Sequence, residues 1–364
     1  MDERYPRLII EKFAIRNNTK QIVSWCDKAG IFVVGVIKGA TGIPEVAYEM
    51  VNGGVKMLAS SRLEQLDRCK KRGIKIPMMM LRVPMLSEIP KMIEICDYSL
   101  NSEMTTINEI NREVLSKSKE KHGIVLMADL GDLREGFINK EEIIDAAIKI
   151  EKELDGVELK GIGTNLGCYG SVIPTEDKMK ELKLLSEKIE ESIGRKLEIV
   201  SGGATSSLMG VFDGYMDGIN MLRIGAGIIA GPYEELATVY GRKELDALQS
   251  PFTLEAEIIE IKKKPSYPIG KLGVDAFGKK GEYIDQGIRL RALIAVGRAD
   301  YGDISSLIPI DENIKVIGAS GDHTILDIED SKNNYNIGDI IKFELKYSAI
   351  LNLSSSENVA RIYK

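Results

Sequence analysis

Three groups of residues in this chain have the type and spacing for chemistry. Lys38 stands in "VVGVIKGATG" (33–42), just past Val33, Val34, Val36 and Ile37, which read as a strand covered on both faces. An unpaired ammonium is costly to bury, so a lysine ending such a strand loses its proton or finds a partner. The plain alternative is a strand-end lysine whose head reaches water. The second group is "SGGATSS" (201–207) with "RIGAG" (223–227). There Gly203 and Gly225 let backbone N–H groups approach an anion, and Thr205, Ser206 and Ser207 offer hydroxyls. The alternative is a glycine-rich turn with a hydroxyl helix cap. The third group is Asp129, Arg134, Asn165 and Arg223, polar residues placed at the ends of apolar runs. A lysine amine beside a phosphate cup suggests an imine with a carbonyl compound that carries a phosphate.

Other chemistries are disfavoured. The glycine patterns "GIGTNLG" (161–167) and "GAGIIAG" (225–231) lack the GxGxxG spacing and the βαβ setting of a dinucleotide site, and there is no Walker A sequence. The four cysteines, Cys26, Cys69, Cys96 and Cys168, form no CxxC pair, so neither a zinc site nor a disulfide framework is indicated. Reduced thiols in a cytoplasmic protein are the simplest account. The only histidines are His122 and His323, which excludes a multi-histidine metal site, and no metal is expected. A net charge of −6 disfavours nucleic acid or an anionic membrane as partner. No apolar run approaches the ~20 residues of a membrane span, and "MDERYPRLII" has no signal-peptide core.

The elements that must position these residues follow from periodicity. The chain has 364 residues, 44% hydrophobic and 29% charged, long enough for one large and one smaller domain. Eight apolar runs occur at 31–39, 56–61, 77–82, 98–102, 123–130, 159–167, 198–205 and 221–227. Between them lie helical patterns such as Glu141–Leu154 and Glu176–Ile193. A helix over 103–120 is expected, with Ser102 as its cap and Glu103 in its first turn. Eight strand–helix units predict an N-terminal (β/α)8 TIM-type barrel, with a doubly wound sheet as the alternative. In a barrel, chemistry sits where strands end at their C-terminal side. Lys38, Asp129, Arg134, Asn165, Ser201–Ser206 and Arg223 all fall there, from separate strands.

From about residue 250 the pattern changes to the two-residue strand period, in "FTLEAEIIEIKKK", "QGIRLRALIAVG", "IKVIGASGDHTILDI" and "DIIKFELKY". This predicts a C-terminal mainly-β domain over 241–364, which residues 1–10 join, after a barrel over 11–240. Of the two imine chemistries, a sugar-phosphate aldolase and a pyridoxal 5'-phosphate (PLP) enzyme, a lysine on strand one followed by a β domain favours PLP.

With these motifs placed, the chain resembles the alanine racemase-like, fold-type III group of PLP enzymes over nearly its whole length. "VIKGATG" matches the family's PLP-lysine stretch at Lys38. "DLGDLREG" matches the stretch after strand five at Asp129, Gly131, Arg134 and Gly136. "MLRIGAGIIAG" matches the strand-eight element at Arg223 and Gly225. "TNLGCYG", "SGGATSSL" and "SGDHTILD" are most similar to the alanine/ornithine racemase branch, ornithine racemases above all. The resemblance implies that Lys38 holds PLP and then serves as one proton-transfer base. It implies that Arg223 faces the pyridine nitrogen, where a guanidinium disfavours protonation. Ser201, Gly203, Thr205, Ser206, Gly225 and Ala226 would line the phosphate site, Asn165 would stand against the ring, and Arg134 would support the phenolic oxygen. It also implies a homodimer with shared active sites.

The chain departs from the family at the second base. Racemisation needs a base on each face of the α-carbon, and alanine racemases use a β-domain tyrosine. The matching stretch here, "GKLGVDAFG", has Leu272 at that place. His323 is the candidate replacement, since histidine ordinarily titrates near neutral pH; Asp322, Cys168 and Tyr169 are alternatives. Asp322 or Asp275 could receive the distal ammonium of ornithine, and Cys168 adjoins Asn165. The expected reaction is racemisation of ornithine or a similar diamino acid. The alternatives are racemisation of alanine, lysine or another amino acid, a D-amino-acid lyase or dehydratase, and a non-catalytic PLP-binding protein.

Overall fold

The computed structural model describes residues 4–232, 234–274, 277–278 and 280–364. The chain divides into two compact units, Lys12–Gln249 and Ser250–Lys364 with the N-terminal segment through Glu11. In the second unit, strand β1 (Arg7–Ile10) is the N-terminal contribution.

The first unit is a closed parallel barrel of eight strands in chain order. They are β2 (Phe32–Val36), β3 (Met57–Ser60), β4 (Met78–Met80), β5 (Tyr98–Asn101), β6 (His122–Met127), β7 (Val157–Gly163), β8 (Ile199–Ser201) and β9 (Met221–Ile224). Each of the eight apolar runs overlaps one of them; β6 begins one residue before its run and β7 two residues before. β2 pairs with β9, Val34 opposite Arg223, which closes the cylinder. The interior is filled by Val34, Val36, Met57, Ala59, Met79, Leu100, Val125, Met127, Ile199 and Met221, so the barrel is a packed core and not a pore.

β7 contributes no large side chain to that cluster, and the geometry gives the reason. A Cβ added at Gly161 would lie 1.8 Å from the carbonyl oxygen of Ile199 on β8. Gly161, the first glycine of the pattern at 161–167, therefore serves close strand approach within the barrel. At the base, Lys160 Nζ reaches Glu158 Oε1 at 2.9 Å and Glu198 Oε1 at 2.8 Å.

Among the helices, Glu176–Ile193 has the bounds that its amphipathic period predicts, and Lys140–Glu153 lies within a residue of its expected range. The helix expected over 103–120 spans Met104–Ser116. Glu103, not Ser102, occupies its N-cap position, and no side chain caps it. The capping expectation at Ser102 is thus corrected: the extended backbone runs one residue further before the first helical turn.

The second unit is an eight-stranded sheet. It adds β10 (Phe252–Pro265), β11 (Ile288–Ile294), β12 (Leu307–Pro309), β13 (Lys315–Ala319), β14 (Thr324–Asp327), β15 (Ile340–Leu345) and β16 (Ala360–Tyr363) to β1. β1 runs antiparallel to β10 and parallel to β16. Its core side carries Leu254, Ala256, Ala292, Leu326 and Phe343, all fully buried.

Candidate active site

β2 stops at Val36, and Lys38 opens a 3-10 turn, Lys38–Ala40, closed by the Thr41 N–H donating to the Lys38 carbonyl at 3.0 Å. The expectation of a strand ending on lysine is corrected by two residues: the lysine is on the turn that leaves the barrel. Burial is the first cause that lowers its amine below the ordinary lysine range. The charges of Arg134 and Arg223 lower it further, while Cys168 and Glu135 oppose them. Five side chains from four separate barrel segments therefore act on one another in one region.

Arg223, on β9, is 4% exposed. Its guanidinium donates to Ser201 Oγ on β8 and, at 2.8 Å, to the Thr164 carbonyl just past β7. Burial pulls its pKa down to about 10, so it stays charged at neutral pH. Arg134 pairs with Glu135, with Nη2 2.6 Å from Oε1, and Cys168 is near enough to act on its charge. The Glu135 contact is the first cause that holds the Arg134 pKa above its ordinary value. Asp129 shapes the turn: its Oδ1 accepts from the N–H of Gly131 at 2.8 Å and of Leu133 at 3.1 Å.

The loops after β8 and β9 are joined. Arg223 N–H donates to the Gly203 carbonyl at 3.0 Å, and Gly227 N–H donates to Thr205 Oγ1 at 3.3 Å. Gly203 has φ +120°, and a Cβ there would stand 2.6 Å from Ser207 Oγ. Ser207 Oγ donates to the Gly202 carbonyl at 2.7 Å, so it holds the loop's shape. Thr205 and Ser206 are buried, and Ser206 Oγ makes only a long contact, 3.4 Å, to the Leu166 carbonyl. Gly225 caps the short helix Ala226–Ile229. Nearby, the Asn165 amide nitrogen and the Thr164 hydroxyl are buried without a hydrogen-bond partner. A buried donor left unpaired costs free energy until something supplies an acceptor. The donors, the glycine cradle and the adjacent lysine suit a compact phosphorylated carbonyl compound.

Asp322 and His323 are exposed on the turn between β13 and β14 in the second unit. That turn is held by its backbone: Ser320 N–H donates to the His323 carbonyl at 2.8 Å, and His323 N–H donates to Ser320 Oγ at 3.2 Å. Leu272 is 39% exposed. Asp275 lies outside the described residues. Cys168 is the exposed cysteine; the other three are buried. Among the described residues no group of three or more His, Cys, Asp or Glu side chains could hold a metal ion, and no helix is long and apolar enough to cross a membrane.

Three residues of this region escaped sequence reasoning: Asp132, Glu135 and Thr164. Asp132 and Glu135 flank the recognised Arg134 in "DLGDLREG", which was their only signal. Thr164 acts through its carbonyl, which no sequence pattern marks.

Residues 10–231 match the family described as alanine racemase, N-terminal domain. The chain is 38% identical to an ornithine racemase of Acetoanaerobium sticklandii, over 98% of this chain and 99% of the relative. It is also 38% identical to a lysine racemase of Thermotoga maritima, over 99% of both. Among solved structures, an alanine racemase from D-cycloserine-producing Streptomyces lavendulae superposes with a TM-score of 0.78 at 17% identity, covering 100% of this chain and 98% of that one.

Proposed function

The chain belongs to the alanine racemase family and is an amino-acid racemase; from that premise we propose that it uses PLP to interconvert the enantiomers of ornithine or a similar diamino acid. One observation carries the cofactor reading. The half-buried Lys38, its amine lowered by burial, shares a region with Arg223, and Arg223 N–H is bonded to the Gly203 carbonyl of the hydroxyl-rich cup.

When bound, PLP supplies an electron-withdrawing ring that weakens the Cα–H bond of an attached amino acid. Lys38 would hold the cofactor covalently and move the α-proton on one face. Thr205, Ser206, Gly225 and Ala226 would bind its phosphate, with Ser201 and Gly203 shaping the cup. Arg223 would keep a cation beside the ring nitrogen, and Arg134 would support the phenolic oxygen. Asn165 would offer its unpaired amide N–H to the group. His323 would move the proton on the opposite face. Asp322, Asp275 and Cys168 would contact the substrate. A homodimer with shared sites and a cytoplasmic location belong to the same reading.

The test is turnover. Protein reconstituted with PLP is given L-ornithine, L-lysine and L-alanine separately, while optical rotation and ammonia are followed. Rotation lost with ornithine or lysine faster than with alanine, without ammonia, is expected. Ammonia release would replace racemisation with elimination. Preference for alanine would remove the diamino-acid assignment.

A further inference from the structure

Asp132 is a carboxylate only 1% exposed. Burying an ionised carboxylate is costly unless donors surround it. Here the donors are backbone groups of one distant loop. Asp132 Oδ1 accepts from the N–H of Gly167 at 3.0 Å and of Gly170 at 3.1 Å, with Val172 further off at 3.4 Å. Oδ2 accepts from the Tyr169 N–H at 3.0 Å. Residues 167–172 thus wrap around a single side chain that comes from the loop after β6.

Cys168 sits between two of the clasped residues, Gly167 and Tyr169, and acts electrostatically on Arg134, two residues past Asp132. The two loops therefore meet through a buried carboxylate, beside the Lys38–Arg223 region. Arg134 and Cys168 both act on Lys38. Asn165, with its unpaired amide, lies two residues before the clasp.

We propose that Asp132 is a positioning residue: its carboxylate holds the 167–172 loop so that Cys168 stays in the region of Arg134, Lys38 and Arg223, where the loop forms a wall for the substrate. Asp132 touches no reacting atom in this assignment and acts through the loop.

The test uses full-length protein, loaded with PLP, and Asp132→Asn. Asparagine keeps one acceptor oxygen for Gly167 and Gly170 but turns an amide N–H toward the Tyr169 N–H. Because Cys26, Cys69 and Cys96 are buried and Cys168 is exposed, an aromatic disulfide reagent reads Cys168 in the native protein, and Cys168→Ser confirms the assignment. The expected result is a change of at least about fivefold in the Cys168 reaction rate, with KM for the amino acid raised at least about fivefold and kcat within about twofold. Lower global stability alone would move neither the thiol rate well below the melting temperature nor KM. A thiol rate within about twofold of wild type in folded Asp132→Asn overturns the proposal.

If that variant does not fold, Gly170→Ala takes its place. The added Cβ would lie 2.8 Å from the Asp132 carbonyl oxygen and displaces the same loop while leaving the carboxylate intact. An unchanged thiol rate there overturns the proposal equally. The KM arm rests on the racemase reading above and the thiol arm does not. A wild-type protein without turnover would sink the substrate assignment and leave the loop clasp to be judged by the thiol alone. An altered thiol rate with unchanged KM would overturn the substrate-wall role.

Discussion

Arg223 on the last barrel strand donates to the carbonyl of Thr164 at 2.8 Å, so a cation from β9 is held by the chain that leaves β7. The Ser201 hydroxyl of β8, the strand between them, takes a second bond from the same guanidinium. Three neighbouring strand ends are thereby tied by one side chain. A planar fork does this; an ammonium on a flexible stem does not reproduce both bonds. Arg223→Lys should fold but lose about 1.5–3 kcal/mol per charged hydrogen bond not remade. Its racemase activity should fall by about tenfold or more, the rate cost of roughly 1.4 kcal/mol. Thermal melting and kcat measured together check this. A variant with wild-type melting and wild-type kcat would show that the fork is dispensable.

Lys38→Ala should abolish both reductive trapping of PLP by borohydride and turnover. The lowered lysine pKa means that the neutral amine is available at lower pH than for a surface lysine. Mass spectrometry of the trapped wild-type protein should place the cofactor on the peptide that contains Lys38. Trapping that survives in the variant would assign the covalent link to another lysine.

His323→Asn should leave the β13–β14 turn intact, because the turn is closed by backbone groups and the Ser320 hydroxyl. If His323 is the second base, exchange of the α-proton with deuterated solvent should slow for one enantiomer much more than for the other. Equal exchange from both enantiomers at wild-type rates would remove the role.

Gly161→Ala should be among the most damaging single-atom additions in the barrel. The new Cβ would meet the backbone of β8 at 1.8 Å, and backbone cannot swing aside as a side-chain tip can. A loss above about 3 kcal/mol is expected, at or beyond the usual upper range for overpacking. Urea unfolding of the variant at neutral pH measures it, and a change below about 0.5 kcal/mol, the scale of an ordinary surface substitution, would refute the packing account.

His122 supplies a pH prediction. It is 3% exposed, its Nε2 lies 2.9 Å from Ser99 Oγ, and burial pushes its pKa down to about 4 from 6.5. The folded protein therefore resists a proton that the unfolded chain accepts. The stability linked to this group is intact above pH 6.5 and is lost as pH falls to about 4. The loss totals roughly 3 kcal/mol, at 1.36 kcal/mol per pKa unit. Urea midpoints across that window should fall more steeply for wild type than for His122→Asn. Parallel curves would mean that other groups carry the acid sensitivity.

How much of this was legible in the sequence depends on the distance over which each feature is encoded. The eight barrel strands and the helix Glu176–Ile193 follow from local apolar periodicity, and the β-rich second unit follows from a two-residue alternation; both are properties of short windows. Lys38 was visible for the same reason, because a cation directly after a buried strand violates the local pattern. A cap is also local, yet Ser102 failed, because hydroxyl identity does not settle which residue first leaves the extended backbone.

What only the tertiary structure decided are the partnerships between segments far apart in the chain. The sequence alone put Arg223 on the last apolar run and Ser201 after the one before it; barrel closure decided that they bond, and that the Thr164 carbonyl completes the set. It likewise placed Asp132 in the chain, but not inside a loop that begins 35 residues later. Nor does composition distinguish a nucleotide-binding glycine from Gly161, whose small size is required by a carbonyl on the neighbouring strand. The physical reason is common to all three. Side-chain period is written along the chain, whereas hydrogen-bond partners and close approaches depend on strand register around a closed cylinder.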